Sequence, residues 1–382
     1  MNQRPDARRP RSERPVTPPQ PSYPRPPRTE PTGPQPAAAP PAPPAPAQRW
    51  AIRGTGAFLP ERRVPSSELS ESLGLPADWI EERTGIRTRH VAGDAQAASD
   101  LAAVAARRAL EAAGLRPADL GLIVLGTSTP DELGPSTACR VQALLGATGA
   151  AAFDVAAACS GFVYGLQAAV GWLATQRGAA PYALVIGVEV YSRFLNHRDR
   201  ATAALFGDGA AAAVVGPVPA PYGVLSLTLG SDGTRAGDVL IPAGGSRLPA
   251  TPDTLATAGH TIHMDGRAVR EFITATLPRL VDEGCQAGGV KPADLALVVP
   301  HQPNPKLVAA LADRCGLDPD QLVIAGSDVG NIGAASLPYA LDRAVRTRGI
   351  APGELVLLAG FGAGMTWGHA LISWPPGSEA PR

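Results

Sequence analysis

Of the four cysteines in this 382-residue chain, Cys159 stands where chemistry is possible. It belongs to Phe153-Asp154-Val155-Ala156-Ala157-Ala158-Cys159-Ser160-Gly161-Phe162, an apolar run that turns through small residues into a helical stretch, Ser160–Thr175. A cysteine at a helix N-terminus meets unpaired N–H groups and the positive end of the dipole, which favour its thiolate. Thiolate is the nucleophilic form, so the pattern fits covalent catalysis. Cys139, Cys285 and Cys315 have no such turn and read as small buried thiols.

His301 follows the apolar run ending at Pro300, at a sheet edge where α/β proteins form ligand crevices. Asn331 lies in Gly330-Asn331-Ile332-Gly333, a tight loop before a helix beginning near Ala334; alone it reads equally as a turn residue or cap. The run Gly360-Phe361-Gly362-Ala363-Gly364 makes a flexible turn or offers a backbone N–H to an oxyanion. Gly207-Asp208-Gly209 lacks the lysine of a phosphate loop, and no dinucleotide fingerprint opens a helix after the first strand.

Elements that would position these residues recur along the chain. Short apolar runs at Leu122–Leu125, Ala183–Val188, Ala211–Val215, Leu297–Val299 and Leu355–Leu358 suit strands covered on both faces. Alanine-rich helical stretches separate them, as in Asp100–Ala113, with Asp100 as the expected N-cap and Gly114 just past the end. The alternation predicts an α/β fold. Arg116-Pro117-Ala118-Asp119-Leu120-Gly121-Leu122-Ile123-Val124 returns 175 residues later as Lys291-Pro292-Ala293-Asp294-Leu295-Ala296-Leu297-Val298-Val299. A second echo pairs the helix from Ser160 to Arg177-Gly178 with the one from Ser336 to Arg348-Gly349, each leading to a strand. Two copies of one unit imply a duplicated fold. A pseudo-twofold axis between them would bring the loops of Cys159, His301 and Asn331 to one centre.

Composition narrows the class. With 34 basic and 34 acidic side chains there is no broad positive field, which argues against nucleic acid as a partner. Residues 1–48 hold 17 prolines, seven arginines and three acids, a composition that cannot bury enough surface to order itself. This segment is expected to be a disordered tail of net charge +4. The folded halves are expected over residues 49–217 and 218–376. No apolar run reaches the ~18 residues that span a bilayer, and the N-terminus has no signal-like apolar segment. The cysteines form neither a disulfide framework nor a zinc pattern, so a cytoplasmic protein is expected.

Together these segments resemble the β-ketoacyl-acyl-carrier-protein synthase III family. The landmarks are Trp79-Ile80-Glu81-Glu82-Arg83-Thr84-Gly85-Ile86-Arg87, Pro135-Ser136-Thr137-Ala138, Ala157-Ala158-Cys159-Ser160-Gly161-Phe162, Phe206-Gly207-Asp208-Gly209-Ala210, His301-Gln302, Gly330-Asn331 and Phe361-Gly362-Ala363-Gly364-Met365-Thr366-Trp367-Gly368. The resemblance implies a thiolase fold, a duplicated five-layered αβαβα core, and a homodimer. It implies that Cys159 takes an acyl group from a coenzyme A thioester. Malonyl-acyl carrier protein then loses carbon dioxide while His301 and Asn331 hold its thioester carbonyl. Backbone N–H groups of Cys159 and Ala363 would form the oxyanion hole. Coenzyme A enters as a substrate, and neither a metal nor a redox cofactor is implied.

Among the substrate-binding positions that the resemblance implies, Trp79, Arg83 and Arg200 would hold the nucleotide of coenzyme A. Met264, Gly266, Arg270 and Phe361 would line the pantetheine path, and Gly134 and Tyr191 the acyl pocket. Departures from the family pattern are Ala201, Pro303, Arg270 and Gly134, the last where a large side chain commonly closes the partner's pocket. They bear on substrate choice. The reading is a decarboxylating condensation that primes fatty-acid or polyketide synthesis. An acyltransferase delivering the acyl group to an alcohol or amine, with His301 as base, is the alternative, and a non-catalytic partner the third.

Overall fold

The computed structural model describes residues 48–176 and 182–377. The expected tail, Gln48 apart, and the helix end expected at Arg177-Gly178 lie outside them. Five strands form the first sheet: β1 (Gln48–Phe58), β2 (Leu120–Gly126), β3 (Ala151–Val155), β4 (Tyr182–Val190) and β5 (Asp208–Pro219), in the order β1-β5-β4-β2-β3. A second sheet holds β6 (Gly223–Ser231), β7 (Leu295–Pro300), β8 (Leu355–Gly362) and β9 (Thr366–Ser373), in the order β6-β9-β8-β7. The pairing senses match position by position, antiparallel at β1/β5, β5/β4, β6/β9 and β9/β8 and parallel at β4/β2 and β8/β7. Even the fifth position has its echo, because Leu322 bridges in parallel to Val298 as β3 does to β2.

The nine-residue repeat is a structural device as well as a sequence match. Pro117–Asp119 and Pro292–Asp294 each make one turn of 3₁₀ helix before a strand. Asp119 accepts from the Arg116 backbone N–H and Asp294 from that of Lys291, both at 2.8 Å. A short acidic side chain satisfies the same orphan donor in each copy.

Four longer helices complete five layers. Two lie between the sheets, α2 (Gly161–Thr175) and α4 (Ser336–Thr347); outside the first sheet lies α1 (Ala98–Ala113), and outside the second α3 (Gly266–Gly288). The central core joins Phe162, Leu166 and Leu173 of α2 to Leu337 and Leu341 of α4, with Val124 and Val185 from one sheet and Val299 and Leu358 from the other. Outer cores gather around Leu101 and Leu110 of α1 and around Leu277 and Leu280 of α3. Strands buried on both faces need no polar alternation, which explains the continuous apolar runs.

Two local expectations are corrected. α1 starts two residues before Asp100, whose carboxylate instead reaches back to the Ala97 N–H at 2.8 Å. This is the returning half of a capping box, which the third helical position can supply. Cys139 is exposed, not buried, because its short helix Thr137–Leu145 flanks the edge strand β3. No helix of the described residues is long and apolar enough to cross a membrane.

Candidate active site

Cys159 sits where β3 ends, in the 3₁₀ turn Ala158–Ser160 that runs into α2. Ala158 before it has φ of 46°, a left-handed conformation that is strained for a residue with a Cβ. Such a sharp turn aims the thiol away from the strand it follows. Ser160 then ties the turn to the second half, its Oγ lying 2.7 Å from both the Ala157 carbonyl and Thr366 Oγ1, with one proton to share between them. Thr366 Oγ1 in turn donates to the Ala363 carbonyl at 3.0 Å, fixing the glycine-rich turn after β8 beside the nucleophile.

His301 follows β7 and is buried, its backbone N–H donating to Ala359 of β8 at 2.9 Å. Its ring stands edge-on to Phe361, 5.4 Å between centroids. Nδ1 has no hydrogen-bond partner among the described residues. Burial pushes the imidazole down to about 3, so it is neutral near pH 7 and keeps one N–H to donate. Gln302 next to it is buried and fastens the loop, donating to the Pro300 and Val323 carbonyls at 3.0 and 2.8 Å. Pro303 therefore sits in a loop already held by its neighbour.

Asn331 is held by its own backbone, its N–H donating to Leu205 at 2.8 Å and its carbonyl accepting from Gly207 at 3.1 Å. Its Oδ1 accepts from the Gly333 N–H at 2.9 Å. With the oxygen engaged, the amide nitrogen is the group left to act as a donor.

These loops meet as the duplication predicts. Cys159, Tyr191, Met264, His301, Asn331, Phe361 and Ala363 line one cavity of about 270 Å³. Its far wall is apolar, with Phe206, Leu240, Ile241 and Ile262. A second, open cleft of about 700 Å³ holds Trp79, Arg83, Arg200, Gly266 and Arg270. The two share Met264, Val269, Ile273, Pro303 and Asn331, so the cleft leads to the cavity. In the cleft the Arg83 and Arg200 guanidinium groups lie 4.8 and 6.0 Å from the Trp79 ring centre. Asn304 and Lys306 from the His301 loop bond to the Arg83 and Glu82 carbonyls, joining cleft to catalytic loop. Gly134 lines neither space in its own chain, and none of the described residues comes within 4 Å of where its Cβ would be.

The state of the thiol differs from the expectation. Burial, and then the charge of nearby Glu189, push Cys159 up to about 12; a hydrogen bond from Tyr191 opposes them. A helix N-terminus is worth only about 0.3–1 kcal/mol, too little to offset the loss of water around the sulfur. The resting nucleophile is the thiol. Sequence reasoning also missed Glu189, fully buried at the end of β4. Its signal was a lone acid closing the otherwise apolar run from Ala183 to Val190.

Comparison with known proteins agrees with this geometry. Residues 153–233 match the model of 3-oxoacyl-[acyl-carrier-protein] synthase III, and residues 285–374 match the C-terminal model of the same enzyme. A beta-ketoacyl-[acyl-carrier-protein] synthase III of Caldanaerobacter subterraneus subsp. tengcongensis is 44% identical over 85% of this chain and 97% of its own length. The acetoacetyl CoA synthase NphT7 of a Streptomyces species is 47% identical over 85% of this chain and 99% of its own. Among solved structures, the priming beta-ketosynthase of the R1128 polyketide biosynthetic pathway superposes with a TM-score of 0.79 at 32% identity, covering 89% of this chain and all of that one. A duplicated five-layered fold with Cys159, His301 and Asn331 around one cavity, and relatives matched along nearly their whole length, make this chain a member of the beta-ketoacyl-[acyl-carrier-protein] synthase III family.

Proposed function

We propose that this chain condenses an acyl starter with a malonyl thioester, losing carbon dioxide, and so primes fatty-acid or polyketide synthesis. The observation that carries this reading is the convergence of a thiol and two amide- or imidazole-type donors from both halves on one cavity. In the first step the Cys159 sulfur attacks the starter's thioester carbonyl. The thiol proton leaves with coenzyme A, and an acyl-cysteine remains. The N–H groups of Cys159 and Ala363 receive the oxyanion. In the second step malonyl thioester enters; His301 and Asn331 donate to its carbonyl while the carboxylate departs as carbon dioxide. The electron pair of the broken bond forms the enolate, which attacks the acyl carbon and expels the Cys159 sulfur as a thiolate, and this takes a proton from water to restore the resting thiol. All bonds balance without an oxidant, a reductant or a metal-bound hydroxide.

Starter coenzyme A fits the cleft of Trp79, Arg83, Arg200, Gly266 and Arg270, whose cations face a polyanion. Malonyl carried by acyl carrier protein is the extender. A relative that makes acetoacetyl-CoA, 47% identical, makes malonyl-CoA the comparison substrate. The chain is read as a homodimer through the edge strand β3, where Phe153 is 41% exposed; Leu133, in the loop that follows β2, is 88% exposed. Four free cysteines support a reducing, cytoplasmic setting.

The test is intact mass after incubation with acyl-CoA thioesters, followed by malonyl carrier protein or malonyl-CoA. An acyl adduct on Cys159 that disappears as carbon dioxide and a β-ketoacyl product form is the expected course. Transfer of the adduct to an alcohol or amine without decarboxylation would replace condensation by simple acyl transfer.

A further inference from the structure

Behind the cavity lies a carboxyl group that the reaction, as written above, does not use. Glu189 is 0% exposed, and no basic side chain pairs with it among the described residues. It is held by donors alone. The Ser128 N–H reaches both of its oxygens at 3.1 and 3.0 Å. Thr129 Oγ1 donates at 2.9 Å and Thr127 Oγ1 at 3.4 Å. The remaining donor comes from the other half: the Ala334 N–H, at 3.3 Å from Oε1.

That last bond matters because of what precedes Ala334. Asn331 and Ala334 belong to one tight segment, closed by the Gly333 N–H on Asn331 Oδ1. Gly333 has φ of 50°, and a Cβ on it would stand 2.7 Å from the Glu189 Cγ and 2.6 Å from the Tyr191 hydroxyl. The backbone is therefore pressed against Glu189, with no room for a side chain between. On the opposite side Ser128, bound to the same carboxyl, lines the catalytic cavity.

We propose that Glu189 is a positioning residue for Asn331: its side chain clamps the Gly333–Ala335 turn of the second half to the Thr127–Thr129 loop of the first, setting the direction of the Asn331 amide N–H. This rests on the decarboxylating reading above and deepens it. The needed feature is reach and one oxygen that accepts two backbone N–H groups, not negative charge. Burial pushes this carboxyl up to about 7, toward the neutral acid, whose O–H can turn to a threonine hydroxyl. Glutamine has the same length and offers the same oxygen. Aspartate keeps the charge and loses the reach.

The experiment measures two single-turnover rates in wild type, Glu189→Gln and Glu189→Asp: acylation of Cys159 by mass, and carbon dioxide release from malonyl thioester. Acylation also reports that each variant is folded. Expected is a decarboxylation rate at least tenfold down in Glu189→Asp, with acylation within about threefold of wild type. Glu189→Gln should decarboxylate at least fivefold faster than Glu189→Asp. In an Asn331→Ala background, Glu189→Asp should add less than twofold further loss, since the residue it positions is gone. The assignment fails if Glu189→Asp slows both steps alike, if Glu189→Gln is as slow as Glu189→Asp, or if the losses multiply in the double variant. Wild type that releases no carbon dioxide would instead overturn the condensation reading itself.

Discussion

A Cβ placed on Gly362 would stand 2.7 Å from the backbone nitrogen of Cys159 and 2.9 Å from that of Ser160. The last residue of β8 thus meets the nucleophile's turn backbone to backbone, and the two halves of the duplicated fold touch at the reacting centre. Real Cβ contacts are not this short, so Gly362→Ala must push the glycine-rich turn off Cys159. Losing one preorganised oxyanion donor typically costs about 3–4 kcal/mol in the transition state. Gly362→Ala should slow acylation of Cys159 by at least tenfold in a rapid-quench mass assay. A rate within twofold of wild type would separate this contact from the oxyanion site.

His301→Ala and Asn331→Ala should impair malonyl decarboxylation more than acylation. Both groups are donors without a charge: His301 is held neutral by burial, and Asn331 has its oxygen engaged by Gly333. Each loss should lower carbon dioxide release by about a hundredfold or more. If either variant loses acylation yet still decarboxylates malonyl thioester at the wild-type rate, its role has been misassigned.

Much of this centre is legible in the sequence, and the rest is hidden for definable reasons. The repeat of Arg116–Val124 at Lys291–Val299 carries the topology, because the same aspartate-held turn precedes a buried strand in both copies. Residues that carry chemistry by type, such as Cys159 and His301, are visible from their neighbours. Glu189 is not, since its importance lies in donors from two loops far away in sequence. The ionisation of Cys159 is misread for a similar reason. A helix N-terminus is a local signal, whereas the desolvation that outweighs it comes from both halves. Gly134 meets no atom of the described residues within 4 Å of where its Cβ would be, so nothing within the chain reveals a role for it.

A thiol pushed up to about 12 makes a testable statement about reactivity. Only the thiolate reacts with iodoacetamide, so the rate for Cys159 should rise about tenfold per pH unit from pH 7 to pH 10. An ordinary thiol levels off above about 8.5. A plateau below pH 9 would mean that the helix end or Tyr191 outweighs burial after all. Exposed Cys139 gives the internal comparison on the same peptide map.

Glu189 also predicts how stability follows pH. Its folded value is pushed from 4.5 up to about 7 by burial, so the native state holds a proton that the unfolded chain releases. The contribution is fully present below about 4.5 and is lost as pH rises through about 7, on the order of 3 kcal/mol over that window. Cys159 and Tyr191, the titratable groups facing it, are both pushed upward and stay neutral there. His301 acts in the opposite sense: pushed down to about 3, it favours the fold above about 6.5 and loses that as pH falls. Urea denaturation of wild type and Glu189→Gln at pH 5 and pH 8 isolates the first effect. The stability of wild type relative to the variant should fall between the two pH values; an unchanged difference would show that Glu189 does not titrate in this range.

The acyl pocket offers two walls that one experiment can tell apart. Within the chain, the Tyr191 ring packs against Phe206 at 4.7 Å, and both line the cavity behind Cys159. Gly134 lines neither the cavity nor the cleft described above; in a homodimer its missing side chain would leave the partner's pocket open. Each further methylene buried from water favours a longer starter by about 0.8 kcal/mol, close to fourfold. We therefore expect medium or branched acyl-CoA to be preferred over acetyl-CoA by more than tenfold. Tyr191→Ala should extend that preference to longer chains, and Gly134→Phe should shift it toward acetyl while leaving Cys159 open to acylation. The measurement is relative kcat/KM for acetyl and longer thioesters in the three proteins. A shift in Tyr191→Ala alone would remove Gly134, and with it the partner's loop, from the pocket, whereas a wild type that prefers acetyl would place the limiting wall at Tyr191.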